Sequence, residues 1–212
     1  TNAIGTGVAS SASNSVTPFV PVPNITNPTT GKIWMDRNLG ASQVATSSTD
    51  AAAYGDLYQW GRGSDGHQIR TSGTTSSLSS TDVPSHGNFI KAPTSPYNWR
   101  SPQNTNLWQG VNGVNNPCPT GYRIPTETEL SAELLSWSSS TPSGAYASPL
   151  KLTIGGYRDS DIGYLSDVGS FGYYWSSTLA GPSSRGLSFS SWGAGMGSYS
   201  SAYGFSIRCI KD

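Results

Sequence analysis

Between residues 63 and 116 turn-forming residues recur almost without a break, in "GSDGHQ", "TSGTTSSLSSTD", "APTSPYNWRSPQN" and "GVNGVNNP". A loop of that length inside a compact domain is uncommon. The chain accommodates it only if the loops pack as an ordered layer, and Phe89, Tyr97, Trp99 and Trp108 are the side chains spaced to pin one. With the two helical stretches and the short period-two strands traced below, the expected fold class is α+β with long ordered loops.

The chain's 212 residues suffice for one sizeable core, and one domain is expected over 17–212. Before it, "TNAIGTGVASSASNSV" at 1–16 has small polar residues and no period, as a flexible linker or tail does. Hydrophobic residues make up only 34%, but seven Trp and eleven Tyr supply large buried areas from few positions. Twelve basic residues balance twelve acidic ones, so no electrostatic footprint for nucleic acid or an anionic membrane is present. No apolar run approaches the roughly 18 residues of a membrane span, and membrane insertion is not expected. Polarity comes from Ser, Thr, Asn and Gly rather than from charge, which favours an extracellular or virion-type protein over a cytosolic enzyme.

Periodicity places the elements. "PFVPVPNITNP" at 18–28 is extended and edge-like, because each Pro removes a ladder donor, and a compact strand follows at Ile33, Trp34 and Met35. Asp50 reads as an N-cap before Tyr54, Leu57, Tyr58 and Trp60 at helical spacing, predicting a short helix. Thr126 followed by Glu129 is a capping box, and Leu130, Leu134 and Trp137 form one apolar stripe behind it. From there the pattern turns to period two, predicting strands at 150–157, 172–178, 186–190 and 203–210. In the third of these Leu187 and Phe189 share one face and Ser188 and Ser190 the other. In the fourth, Phe205, Ile207 and Cys209 oppose Ser206 and Arg208.

Chemistry is sparse. Glu127, Glu129 and Glu133 all fall in the capped helix and read as capping and solvent-face residues. His67 and His86 lie in Gly- and Ser-rich loops without metal-ligand spacing, so both are expected to be solvated. Asp159, Asp161 and Asp167 alternate as calcium ligands do, but lack the Glu and Gly of an EF loop. Nucleophile-elbow, Walker and dinucleotide motifs are missing. No catalytic residue, metal ligand or cofactor is assigned. Cys118 and Cys209 have no CxxC spacing and leave two readings open, one disulfide or two thiols.

What remains is a surface. From Ala180 to Ser201, fifteen of twenty-two residues are Ser, Gly or Ala, and none is Lys, Asp or Glu. One reading is a glycine-rich turn region. The other is a binding face of small adaptable groups anchored by Trp192 and Tyr199, the composition of antibody paratopes.

"GKIWMDRNLGA", "AYGDLYQWGR", "NPCPTGYRIPTETEL", "YYWSST" and "YGFSIRC", in this order, resemble the C-type lectin-like domains of the Fibrobacter succinogenes major paralogous domain group. That group is distantly related to formylglycine-generating enzyme, and the likeness runs from about Asn27 onward. It includes variable proteins of diversity-generating retroelements, among them phage tropism determinants and archaeal viral variable proteins. The resemblance implies a C-type lectin-like fold of the formylglycine-generating-enzyme variant with a variable region at about 173–206. Adenine-directed mutagenesis of Asn codons would yield Ser, Gly, Ala, Tyr and others, but never Lys or Glu.

On this reading Trp175, Leu187, Phe189, Tyr203, Phe205 and Ile207 hold the backbone. Ser183, Ser184, Ser188, Ser190, Ser191, Gly193, Ala194, Ser198, Tyr199, Ser200 and Ser201 face the ligand, with Trp192 as an anchor outside the codon scheme. The expected function is non-enzymatic recognition of a protein or glycan receptor, on a virion, on a cell surface or otherwise outside the cell, with oligomeric display. The calcium and sugar motifs of sugar-binding lectins are missing. The partner of the oxidase's reactive cysteine, five positions before Cys209, is Gly204. The alternatives are a divergent or inactive oxidase of that lineage, or an architectural domain of a larger surface protein.

Overall fold

The computed structural model describes residues 22–212, and the expected linker at 1–16 lies outside them. In chain order the elements are β1 (Asn24–Thr26), β2 (Ile33–Met35), a single 3-10 turn (Ala51–Ala53), β3 (Tyr58–Gln59), β4 (Thr74–Thr75), β5 (Phe89–Ile90) and β6 (Tyr122–Arg123). They continue with α1 (Glu127–Leu135), α2 (Pro142–Ala147), β7 (Tyr157–Arg158), β8 (Leu165–Ser166), β9 (Gly172–Ala180), β10 (Ser183–Ser190), β11 (Gly193–Tyr199), β12 (Gly204–Phe205) and β13 (Ile210–Lys211). The fold class is α+β as expected. Three sheets are antiparallel, ordered β1-β2-β13-β6, β11-β10-β9 and β3-β12-β7-β8, and β4 and β5 form a parallel pair.

The capping box forms as the sequence implies. Thr126 Oγ1 accepts from Glu129 N–H at 3.3 Å while Glu129 Oε2 accepts from Thr126 N–H at 2.8 Å, so two donors that the first turn leaves orphaned are satisfied. Arg123 adds a two-pronged contact to Glu129 at 2.7 and 2.8 Å, and the carboxyl is held down to about 2; burial opposes the shift, and the hydrogen bonds and charge of Arg123 and Thr126 overcome it. Leu130 and Trp137 then bury against Trp34, Tyr174, Leu187 and Phe189 in one aromatic-rich core. A second core gathers Trp60, Trp108, Tyr122, Trp175, Phe205 and Ile207.

Several expectations need correction. Asp50 caps as predicted, accepting from Ala52 N–H at 3.1 Å, but only Ala51–Ala53 wind behind it. Gly55 turns left-handed at φ 68°, in a spot where a β-carbon would meet Leu39 O at 2.4 Å, and the chain leaves as β3. Tyr54, Leu57, Tyr58 and Trp60 are all buried, which mimicked a helical stripe. The second helix lies instead at α2, opened by Pro142 in its first turn. The predicted strand at 150–157 pairs only at its end, through a bridge of Gly156 to Gly172 and then β7, and the one at 203–210 is split into β12 and β13. Ser206 and Arg208, on the face opposite Phe205 and Ile207, are buried too, because β9 covers Ser206 and Arg208 donates to Leu150 O at 2.6 Å and Asn38 Oδ1 at 2.9 Å. Burial holds the Arg208 guanidinium down to about 10. Glu133 is likewise inside, accepting from Asn27 Nδ2 at 2.6 Å and Trp137 Nε1 at 3.1 Å.

The long loops do pack as a layer. Phe89, Trp99 and Trp108 are buried, whereas Tyr97 is 53% exposed and pins nothing from its ring. Buried side chains satisfy the loop backbone in place of a ladder. Gln59 Nε2 donates to Ile90 O at 2.7 Å and Ala202 O at 2.8 Å; Asn115 Nδ2 donates to Gly61 O at 2.8 Å and Asp82 O at 2.7 Å. Fully buried Arg62 reaches Gln59 Oε1 at 2.8 Å, Asn88 O at 3.0 Å and Asp65 at 2.6 Å. His67, expected in solvent, is buried beside it, with Nδ1 2.6 Å from Asp65 and Nε2 accepting from Gln59 N–H at 3.1 Å. That acceptor role requires a neutral ring, and burial, opposed by Asp65, lowers its pKa to about 4. Cys118 and Cys209 are bonded, tying the end of this layer to the second core.

Candidate ligand-binding surface

The β9–β10–β11 sheet presents two faces, fixed by its register. Leu187 pairs with Met196 and Tyr174, and Phe189 with Ala194 and Gly172. These point toward α1 and the first core, where Phe189 stacks on Tyr174 at 6.0 Å and meets Trp137 edge-on at 5.2 Å. Arg185, pairing with Ser198, shares this side and holds Glu127 of α1 at 2.5 Å. The opposite face carries the rows Tyr173, Ser188, Gly195 and Trp175, Gly186, Gly197, followed by Leu179, Ser184, Tyr199.

The twelve predicted residues do not share one face. Ser191 and Trp192 form the two-residue connection between β10 and β11 and stand in solvent, Trp192 at 88% exposure with its ring edge-on to Phe171 at 6.0 Å. Ser188, Gly193 and Tyr199 are half-buried on the same side, and Ser183 is half-buried near the other end of β10. Ser198 is exposed but lies on the α1 side, where its hydroxyl accepts from Arg185 at 2.7 Å.

The remaining five do not face outward freely. Ser184 and Ser201 have no exposure and share a hydroxyl contact of 2.8 Å, so they form an internal pair. Ser190 is 5% exposed and accepts from Trp192 N–H at 3.2 Å, closing the turn. Ser200 accepts from Ala202 N–H at 3.2 Å and donates to Tyr97 O at 2.5 Å. Ala194 packs against the first core. Assigning Ser184, Ser190 and Ser201 to the ligand face is therefore corrected, because the loop layer and the turn cover them.

Phe171, Tyr173 and Tyr157, which sequence reading passed over, join Tyr199, Tyr203 and Phe205 in an aromatic cluster. Phe171 stacks on Tyr173 at 5.7 Å, and Tyr173 meets Tyr157 at 5.0 Å and Phe205 at 4.9 Å. Tyr157 and Tyr199 stand nearly perpendicular to Phe205, at 82° and 77°, while Tyr203 lies almost parallel to it at 18°. Phe205 in turn stacks on buried Trp175 at 4.2 Å. Tyr157, Tyr173, Tyr199, Tyr203 and Phe205 enclose a recess of about 110 Å³. Tyr199 bends back over its own strand, where a β-carbon on Gly197 would meet its hydroxyl at 2.6 Å and its ring at 2.8 Å, so glycine at 197 is what admits the side chain. The alternation of Phe171, Tyr173 and Trp175 was the available signal.

Beyond Tyr173, Phe171 and Trp192 line a groove of about 490 Å³ with Asp167, Ser191, Ile154 and Pro142. A larger hollow of about 600 Å³ lies beside α1, but Thr126 and Glu129, which line it, already satisfy the capping box. Burial raises the Tyr173 and Tyr157 hydroxyls above the ordinary phenol range, helped by Asp167, so both are neutral at physiological pH. Asp159, Asp161 and Asp167 do not converge: Asp159 accepts from Asp161 N–H at 2.7 Å and Ile162 N–H at 3.0 Å, and Asp167 accepts from Tyr173 at 3.3 Å. Comparison with family models, curated proteins and solved structures yields no match to this chain.

Proposed function

We propose that this chain is a non-enzymatic receptor-recognition protein with a C-type lectin-like scaffold, presented on a virion, on a cell surface or otherwise outside the cell, whose hairpin tip is diversified by a retroelement. The observation that carries this reading is the asymmetry of β10 and β11 near their turn. Leu187 and Phe189 are locked in the first core, while their neighbour Ser188 is half-exposed and a β-carbon on Gly195 would touch nothing within 4 Å. Side chains on the outer row can change without disturbing the inner row. A protein or glycan ligand would lie across Trp192, Phe171, Ser188 and the Gly193–Gly195 strip. Small outward residues lose little side-chain entropy on binding, so affinity would rest on the aromatic anchors and on oligomeric display.

The oxidase alternative has less support. Cys209 is bonded to Cys118, and a β-carbon on Gly204 would meet Arg158 Cβ at 2.9 Å and Phe89 at 3.0 Å, leaving no room for a second thiol there. Sequencing the flanking DNA tests the leading reading. The expected result is a near-copy of the segment encoding 173–206 that differs at adenines, next to a reverse transcriptase. Its absence, together with an identical hairpin sequence across many isolates, would refute diversification.

A further inference from the structure

The tyrosine recess has a composition and a size that the tip of the hairpin does not share. Four tyrosine rings and Phe205 line it, and no Lys or Arg is among the lining residues. Ring faces carry negative potential, which attracts a cation and holds it most strongly where water is excluded. At about 110 Å³ the recess has room for roughly four waters and is far below the several hundred Å³ of a drug-sized or sugar-ring site. It fits one compact group. Asp167 adds charge at the rim by accepting from the Tyr173 hydroxyl at 3.3 Å. Such a carboxylate attracts a cation and repels a phosphate attached close to it.

We propose that this recess binds a quaternary ammonium group on an uncharged stem, the chemistry of an N-trimethyl-lysine side chain on a protein ligand. Tyr157 and Tyr199 form the upright walls and Tyr173 and Tyr203 flank the Phe205 base, so methyl groups contact ring faces on several sides. The aliphatic stem leaves past Asp167 across the face that carries Ser188 and Gly195. The inference rests on the receptor-recognition reading in taking this face as the one presented, and it adds the ligand's chemical class.

The test is an NMR or fluorescence titration of the whole chain with acetyl-N-trimethyl-lysine amide, the unmethylated amide, choline, its uncharged isostere 3,3-dimethylbutan-1-ol, and phosphocholine. The trimethyl-lysine probe should bind at least about tenfold tighter than the unmethylated amide, and choline about tenfold tighter than its isostere, the factor a desolvated cation–π contact supplies. Asp167→Asn should weaken the trimethyl-lysine probe about threefold, an effect of the size expected for a partly exposed charge. It should fold normally, because residue 167 sits at φ 57° and Asn tolerates that conformation. Tyr157→Leu should abolish binding with an unchanged circular dichroism spectrum. Should it misfold, the isostere comparison on the unaltered protein still decides. Equal binding of choline and isostere, or no binding up to about 10 mM, would overturn the proposal. Phosphocholine binding tighter than trimethyl-lysine would overturn the protein source in favour of a lipid or glycan headgroup. None of these results depends on the hairpin tip, whose role is tested separately by receptor binding of Trp192 and Gly195 variants.

Discussion

At the base of the β10–β11 hairpin Ser184 meets Ser201 in a fully buried hydroxyl pair, and Tyr199 lies over Gly197 as one wall of the aromatic recess. At its tip, seven residues on from Ser184 and nine back from Ser201, Ser191 and Trp192 stand in solvent, and nearby Gly195 faces open space. The residue types are the same and their surroundings are opposite. A small side chain at the base is small because something large presses on it, whereas at the tip nothing presses at all. Composition registers the smallness in both places and cannot separate the causes.

The comparison breaks most clearly through its aromatic base. Phe205→Ala should cost about 3 to 5 kcal/mol, measured by urea unfolding, because the ring lies between Trp175, Tyr173 and Tyr199 and cannot be replaced by collapse. A variant that melts like the parent would mean the recess is not part of the core. Separating Cys118 from Cys209 by double serine substitution should cost about 2 to 4 kcal/mol, since the closed loop is long.

Acid should loosen the loop layer before the tip. His67 has a folded pKa near 4 against an unfolded value of 6.5, so the unfolded chain takes up the proton first. Its contribution is fully present above pH 6.5 and declines as pH falls toward 4. Glu129 follows: its lowered pKa keeps its contribution intact above pH 4.5 and removes it as pH falls toward 2. Denaturant titrations at stepped pH check this, and His67→Gln should flatten the first decline. Stability that rises between pH 6.5 and 4 would contradict the neutral buried ring.

Smaller effects sharpen the contrast. Ser184→Ala should cost about 1 to 2 kcal/mol, because it strands the Ser201 hydroxyl. Ser188→Ala, Gly195→Ser and Trp192→Ala should each stay within about 0.5 kcal/mol, as surface changes without a partner do. If the tip variants cost as much as Ser184→Ala, the two ends of the hairpin are alike and the receptor-recognition reading loses its basis.

Much of the scaffold was legible because it is locally encoded. The Thr126–Glu129 box, the alternation of Leu187 and Phe189, and the short strand at Ile33–Met35 each rest on contacts within a few residues or on a strict period. Burial on every side defeated the rest. Tyr54, Leu57, Tyr58 and Trp60 imitate a helical stripe when all are inside, and β9 and Leu150 O close over Ser206 and Arg208 on the face opposite Phe205 and Ile207. The loop residue His67 was read as solvated because nothing in its Gly-rich surroundings marks the backbone N–H of Gln59 as its partner. The recess was missed for a related reason, since Tyr157, Tyr173, Tyr199 and Tyr203 come from separate segments that only the fold brings together.

β13 lies between β2 and β6, although it is made after every residue of the hairpin. A chain that ends before residue 205 therefore lacks that central strand, the Phe205 base and one half of the Cys118–Cys209 link at once. Both the first sheet and the Cys118–Cys209 link are thus completed only by segments that follow the hairpin in the chain.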